Sequence, residues 1–156
     1  NLRLDWHSLE EIVGSALART KQLLAGRSIS VDIPQDLPLV RVDGTLFEQV
    51  FVNLLENAAK HTSAAAAVTI RASAENGTVR CEVSDNGPGL PEGEQSAVFD
   101  KLYQLSRRGQ GFGLGLPICR AIVAAHGGSI VATTAPEGGA QFIFAIPRSG
   151  GMGKEH

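Results

Sequence analysis

The sequence predicts an α/β fold in which an antiparallel or mixed sheet carries helices on one face. Three segments show the spacing of amphipathic helices, and five show the alternation typical of half-buried strands. These segments do not follow the strict strand–helix–strand order of a parallel sheet, which favours antiparallel pairing. The chain has 156 residues, enough for one domain whose core needs neither disulfides nor a metal.

The helices are predicted from apolar periodicity and from capping patterns. Ser8 and Glu11 form a capping-box pattern at the start of the first helix, and Thr45 and Glu48 offer a second one. Gly127 and the glycine after it are typical of the end of the third helix. The predicted helices span residues 8–24, 45–61 and 116–126.

The strands are predicted from alternation and from the residues that interrupt it. Pro34 ends the first strand, and the pair Asn76-Gly77 is a strong hairpin signal between the second and third. A short amphipathic segment is expected near residues 97–105, inside a long irregular stretch. The predicted strands span residues 28–33, 68–74, 78–84, 129–133 and 140–147.

Composition narrows the class of protein. The formal net charge of −2 provides no bulk electrostatic attraction to nucleic acid or to a membrane surface. Cys81 and Cys119 lie in apolar runs without metal-ligand spacing, so both are expected in the core. Without a signal peptide or a long apolar run, the chain is expected to be a cytoplasmic piece of a longer protein. Residues 149–156 are expected to form a flexible tail.

The second predicted helix carries a polar stripe beside its apolar face. Gln49, Asn53, Asn57 and Lys60 recur every three to four residues and therefore share one side of the helix. Asparagine is a poor helix former, so two asparagines one turn apart need a reason. Two interpretations stay open: a solvated face, or an amide oxygen that binds a hard cation such as Mg²⁺ beside an ammonium group for phosphate.

A carboxylate interrupts the alternation of the third strand. Asp85 falls on the inward phase, where the next apolar residue is expected, and a buried carboxylate needs a hydrogen-bond donor. The exocyclic amine of adenine is one such donor, and Gly87 and Gly89 allow the backbone to pass close to a flat ring. The alternative is an ordinary Asp-Asn-Gly turn.

A second glycine cluster precedes the third helix. Gly109, Gly111, Gly113 and Gly115 alternate with other residues, and Pro117 suits the first helical turn. Free backbone N–H groups at such a helix start favour phosphate, and the two arginines at 107–108 could contact phosphate oxygens from a mobile lid. The alternative is a simple glycine-rich loop.

Four segments then stand in a fixed order along the chain: NLLENAAKHT at 53–62, DNGPG at 85–89, VFDKLY at 98–103 and GFGLGL at 111–116. They resemble the N, G1, F and G2 boxes of the catalytic domain of sensor histidine kinases. These kinases belong to the superfamily of gyrase, Hsp90, histidine kinase and MutL ATPases. Segments 9–17, 98–101 and 118–123 resemble the potassium-responsive Kdp branch of the family.

The resemblance implies a fold and a set of site residues. The fold is a two-layer α/β sandwich of the Bergerat type over residues 1–148, with about five strands in a mixed, mainly antiparallel sheet covered on one face by three helices. The implied catalytic residues are Asn57, a Mg²⁺ ligand, and Lys60, which binds phosphate oxygens. Asn53 is implied to assist with the metal or to contact phosphate. Phe99 and Tyr103 anchor the lid. The remaining implied ATP contacts are His61, Asp85, Gly87, Gly89, Tyr103, Arg107, Arg108, Gly111, Gly113, Gly115 and Leu116.

The implied function is transfer of the γ-phosphate of Mg²⁺–ATP to a histidine. No phosphoacceptor box of the His-Glu-x-x-x-Pro kind occurs here, so the helical hairpin that carries the acceptor histidine is expected upstream. The whole protein is expected to be a homodimer anchored in the bacterial inner membrane. A response regulator is the further expected partner, and nucleic acid is not. Gln104 and Pro117 depart from the usual Arg and Ala of the family. Two alternatives remain: a serine kinase of the anti-sigma type, and a degenerate docking module.

Overall fold

The computed structural model describes residues 1–90, 93, 97–99, 115–136 and 138–147. Within them the helices are α1 (Leu9–Arg19), α2 (Gly44–His61) and α3 (Gly115–Ala125). The strands are β1 (Asp5–His7), β2 (Ser28–Asp32), β3 (Val40–Val42), β4 (Ala67–Glu75), β5 (Thr78–Asp85), β6 (Ser129–Thr134) and β7 (Ala140–Pro147). A short 3₁₀ turn spans Ala97–Phe99, and the rest of the predicted 97–105 segment lies outside the described residues.

The main sheet has five strands in the order β2-β4-β5-β7-β6. Only β2 and β4 run parallel; the other neighbouring pairs are antiparallel. Along β5 and β7 every second residue is buried, so one face of the sheet packs against the core and the other does not. The predicted mixed, mainly antiparallel sheet with helices on one face is therefore confirmed.

Helix α2 lies at the centre of the helical layer. The rings of Phe47 and Phe51 reach the sheet, where their centroids lie 5.9 and 5.5 Å from the ring of Phe144 on β7. Helices α1 and α3 both pack on α2. The strongly apolar face of α2 thus fixes this helix over the sheet, and the polar stripe is carried into the same layer with it.

One predicted helix end and one predicted helix cap are wrong. Helix α1 ends at Arg19 because Thr20 leaves the helical conformation and its hydroxyl donates to the carbonyl oxygen of Ala16 at 2.9 Å. Leu24, which continues the helical spacing in the sequence, is buried although it lies in the turns that follow α1. Helix α2 begins at Gly44. Its N-cap is Asp43 instead of Thr45, and Oδ1 of Asp43 accepts from the N–H of Leu46.

The predicted caps and turns are otherwise confirmed. Ser8 caps α1 by accepting from the N–H of Glu11. At the end of α3, Gly127 adopts φ +82°, and the N–H of Gly128 donates to the carbonyl of Val123 at 3.0 Å, which is the Schellman arrangement. Asn76 and Gly77 both have positive φ, as a two-residue hairpin turn between β4 and β5 requires.

A small sheet of β1 and β3 was not predicted. Three residues each are too few to show a period, although Val40 and Val42 are fully buried and Arg41 between them is not. Asp43, directly after β3, accepts from the backbone N–H of Arg3 at 3.0 Å, and this bond lowers the pKa of its carboxyl. The ribbon therefore ties the N-terminal segment to the start of α2.

Both cysteines are buried, as predicted. Desolvation raises the pKa of the Cys81 thiol, and it raises the pKa of Cys119 to about 12, so neither is a reactive thiolate. In the described ranges, no helix combines the length and the apolar character that crossing a bilayer requires.

Candidate functional site

The two asparagines of the polar stripe on α2 are buried. Asn53 and Asn57 are only 8% and 5% exposed, although Lys60, one turn further, is exposed. A buried amide must find hydrogen-bond partners or lose free energy, so these two residues are not part of a solvated face.

Asn57 holds an acceptor without a donor. Its Oδ1 is buried and has no hydrogen-bond partner among the described residues. Leaving a buried acceptor unpaired costs about 1–3 kcal/mol. The oxygen is of the type that a hard cation such as Mg²⁺ prefers, so the structure is compatible with a metal ligand at this position.

Asn53 is engaged on both sides of its amide. Its Oδ1 accepts from Nε2 of Gln49 at 2.7 Å, and its Nδ2 donates to the backbone carbonyl of Gly115 at 3.3 Å. A Cβ on Gly115 would lie 3.3 Å from Cβ and Cγ of Asn53, so only glycine fits there without displacement. Leu116, the next residue, is fully buried. Asn53 thus joins α2 to the start of α3.

Asp85 lies on the buried phase at the end of β5, as its position in the alternation predicts. Its Oδ1 accepts from the backbone N–H groups of Gly87 at 2.8 Å and Ala140 at 3.2 Å. Both bonds end on Oδ1, and Oδ2 takes part in neither. The carboxylate is therefore oriented by its own loop and by β7.

The loop after Asp85 touches the end of α2. A Cβ on Gly87 would lie 2.7 Å from Cγ2 of Thr62 and 3.3 Å from the carbonyl oxygen of His61. Gly89 has φ +86°, which favours glycine. This close approach brings the Asp85 loop to within about one helical turn of Asn57.

Arg27 closes the C-terminal end of α2 from the other side. Its Nη2 donates to the carbonyl oxygens of Ala59 and Thr62, at 2.9 and 2.8 Å, and its Nε donates to the Thr62 hydroxyl at 2.9 Å. A guanidinium at a helix C-terminus satisfies free carbonyls and opposes the helix dipole. Arg27 therefore fixes the last turn of α2 at Ala59 and Thr62, a role that was not predicted because the contact with Thr62 spans 35 residues.

Gly139 is a second residue that the sequence analysis missed. A Cβ there would clash with the backbone carbonyl of Asp85 and lie 2.6 Å from its Oδ1. The only sequence signal is the glycine pair at 138–139 before β7. Gly139 is thus required so that β7 can approach the Asp85 loop.

We expect Gly139→Ala to lower the free energy of unfolding by about 1–3 kcal/mol, because the added methyl displaces the backbone of Asp85. Chemical denaturation measures this. Gly14→Ala is the matched control: the position is helical with open space around it, so this variant should be about 0.5–1 kcal/mol more stable. Equal stability of Gly139→Ala and the parent chain would contradict the assigned contact.

Phe99 anchors the 3₁₀ turn in the core. It is buried, meets the ring of Phe142 edge-on at 6.2 Å, and lies under the guanidinium of Arg120 at 5.9 Å. The other lid residues of the sequence analysis lie outside the described residues, namely Tyr103, Gln104, Arg107, Arg108, Gly111 and Gly113.

A cavity of about 930 Å³ lies elsewhere, between the β1–β3 ribbon and the starts of α1 and α2. Its charged lining mixes both signs, with Arg3 and Arg41 beside Glu11, Asp43 and Glu48. None of the predicted site residues lines it, and no single ligand chemistry is favoured by such a lining.

Comparison with known proteins adds a family match. The family model described as "Histidine kinase-, DNA gyrase B-, and HSP90-like ATPase" matches residues 42–150. The chain is 47% identical over 150 residues to sensor protein KdpD of Escherichia coli (strain K12), covering 95% of the chain and 17% of KdpD. It is 40% identical over 159 residues to the adaptive-response sensory kinase SasA of Synechococcus sp. (strain CC9311), covering 98% of the chain and 41% of SasA. The chain therefore spans well under half the length of these relatives.

Solved structures with the same fold include histidine kinases and their catalytic domains. The nucleotide-free catalytic domain of ThkA superposes with a TM-score of 0.83 at 28% identity, covering 95% of this chain and 97% of that one. Full-length ShkA in complex with AMPPNP gives 0.83 at 29% identity, covering 96% and 32%. ThkA in complex with the response regulator protein TrrA gives 0.79 at 25% identity, covering 97% and 43%.

Proposed function

Because the chain belongs to the family of histidine kinase-, DNA gyrase B- and HSP90-like ATPases, we propose that it binds Mg²⁺–ATP and presents the γ-phosphate to a histidine on another domain. The observation that carries the proposal is the buried, unpartnered Oδ1 of Asn57 in the described structure. The complex of full-length ShkA with AMPPNP, part of which has the fold of this chain, supports nucleotide binding.

In the proposed complex, Asp85 recognises the base. Oδ1 is held by two backbone N–H groups, and Oδ2 accepts from the exocyclic amine of adenine. Gly87 and Gly89 shape the base pocket, and His61 packs on the adenine or the ribose. Since guanine carries a carbonyl where adenine carries the amine, this pocket selects adenine.

The triphosphate end lies along the polar stripe of α2. Asn57 holds the Mg²⁺, Asn53 assists or contacts phosphate, and Lys60 binds phosphate oxygens. When bound, the ion neutralises charge on the phosphates. The backbone at Gly115 and Leu116 faces the phosphates from the start of α3. Further contacts are proposed for Tyr103, Arg107, Arg108, Gly111 and Gly113.

The stripe favours phosphoryl transfer over hydrolysis. Hydrolases of the superfamily carry a water-activating Glu one turn before the metal-binding Asn, where this chain has Asn53, an amide without basic character. Glu56 is exposed and about 100° away from Asn57 around the helix. In the proposed step the bond from the γ-phosphorus to its bridging oxygen breaks, the electron pair leaves on ADP, and an imidazole nitrogen of the acceptor bonds to phosphorus.

The acceptor histidine and the partner proteins involve a longer protein that includes this chain. We propose that residues 1–148 form its ATP-binding catalytic domain, with 149–156 as a tail, and that a helical hairpin upstream carries the histidine and dimerises. The ThkA–TrrA complex supports a response regulator as the next partner. The 47% identity to sensor protein KdpD supports the closeness to the Kdp branch, and from the resemblance to that branch we propose that the longer protein is membrane-anchored and controls potassium transport.

Labelled ATP tests the proposal. We expect the chain alone to release phosphate slowly. The longer protein that includes it should acquire label from γ-labelled ATP as an acid-labile, base-stable phosphohistidine. Acid-stable label would indicate the serine kinase alternative. Absence of label on the longer protein would favour the degenerate docking module. Rapid phosphate release by the chain alone would contradict a domain that holds ATP for transfer.

A further inference from the structure

Gln49 is a member of the polar stripe to which the proposed function gives no role. It lies one turn before Asn53 on α2 and is half-buried. Its Nε2 donates to Oδ1 of Asn53 at 2.7 Å, a short bond for two neutral amides. The first partner of the Asn53 amide is therefore a side chain of its own helix.

This bond is matched to a second bond of the same amide. With Oδ1 of Asn53 held by Gln49, the amide nitrogen Nδ2 points at the carbonyl oxygen of Gly115, 3.3 Å away. An amide turned by 180° has nearly the same shape but would place an oxygen against that carbonyl, where two acceptors repel each other. Because the Gly115 carbonyl can only accept, Asn53 must present its Nδ2 toward α3, and Nε2 of Gln49 stabilises this orientation by donating to Oδ1.

The joint between α2 and α3 leaves little freedom elsewhere. Gly115 packs so closely on Asn53 that an added Cβ would lie 3.3 Å from it, and one turn later Sγ of Cys119 lies 3.6 Å from the carbonyl of Val50. A change in the Asn53 amide therefore acts directly on the first turn of α3, which packs closely against it.

We propose that Gln49 is a positioning residue for the phosphate end of the site. By donating to Oδ1 of Asn53 it stabilises the amide orientation in which Nδ2 holds the backbone of Gly115, at the first turn of α3. This inference rests on the proposed function, since it assumes that the start of α3 faces the phosphates of ATP.

Two variants of the chain test the inference. Gln49→Glu replaces the donor by an acceptor and favours the turned amide, whereas Gln49→Met removes the donor without adding charge. We expect Gln49→Glu to bind Mg²⁺–AMPPNP about three- to tenfold more weakly, with a smaller loss for Gln49→Met. Adenosine, which contacts only the base pocket, should bind both variants as it binds the parent chain in chemical-shift titrations.

The control and the opposite outcomes separate this inference from the proposed function. Gln22→Glu adds the same charge at an exposed position outside the site and should change neither affinity. Unchanged AMPPNP affinity in both Gln49 variants would overturn the inference alone, as would equal losses for AMPPNP and adenosine, which indicate a general structural defect. A parent chain that binds neither ligand would overturn the proposed function and the inference together.

Discussion

Asp85→Asn lowers the affinity of the chain for ADP by about 10- to 100-fold and leaves its unfolding temperature nearly unchanged. The variant keeps one side-chain oxygen, which continues to accept from the N–H groups of Gly87 and Ala140. The other oxygen becomes an NH₂ group, which faces the amine of adenine donor to donor. The loss is therefore concentrated in the bound state.

Calorimetric titration with ADP measures this effect, and thermal unfolding checks the fold. Asp32→Asn is the matched control, because Asp32 is an exposed carboxylate at the end of β2 whose ion-pair distance to Arg71 is 3.9 Å. This variant should bind ADP like the parent chain. An Asp85→Asn variant with parental affinity would show that the base does not lie against this carboxylate.

Asn57→Ala abolishes the strengthening of AMPPNP binding by Mg²⁺, which we expect to be about tenfold or more in the parent chain. The substitution removes the buried oxygen that is proposed to hold the ion. Stability should not fall, because an unpaired buried acceptor is lost and alanine is the better helix former. A residue that is unfavourable for folding yet required for binding is what a metal ligand predicts.

Titrations with AMPPNP in Mg²⁺ and in EDTA measure this difference. Glu56→Ala is the control, since it alters an adjacent but exposed position of the same helix. It should retain the full Mg²⁺ effect and should also leave the slow phosphate release unchanged. If Asn57→Ala instead responds to Mg²⁺ like the parent chain, the ion is held by other groups.

The family and the main sheet could be predicted because their signals are local. Alternation over eight residues of β5 is long enough to show which phase is buried, and Asp85 stands out against it. The four boxes stand in a fixed order, and the match over residues 42–150 confirms the predicted family. The identity to KdpD likewise supports the predicted closeness to the Kdp branch.

The contacts that shape the site could not be predicted, because they join segments far apart in the sequence. The spacing of Gln49 and Asn53 places them on one helix face, but the sequence does not show that Gly115 completes their hydrogen-bond chain. Likewise Gly139 matters only through its approach to Asp85, which pairing of β5 with β7 brings about. Such approaches depend on tertiary packing.

The start of α2 illustrates a local ambiguity that tertiary structure decides. Asp43 and Thr45 are both good N-cap residues. Asp43 is used because the N-terminal segment supplies the Arg3 N–H for its second oxygen, and Nε2 of His126, at the end of α3, accepts from its backbone N–H at 3.0 Å. Neither partner is near in sequence, so the capping pattern at Thr45 was misleading.

Calorimetric titration of the parent chain with AMPPNP and with the corresponding guanine analogue, each with and without Mg²⁺, tests the central claim most directly. The account predicts that the adenine compound binds more tightly than the guanine compound and that Mg²⁺ strengthens its binding. Absence of binding at millimolar nucleotide, or equal binding of both bases without a Mg²⁺ effect, would contradict it.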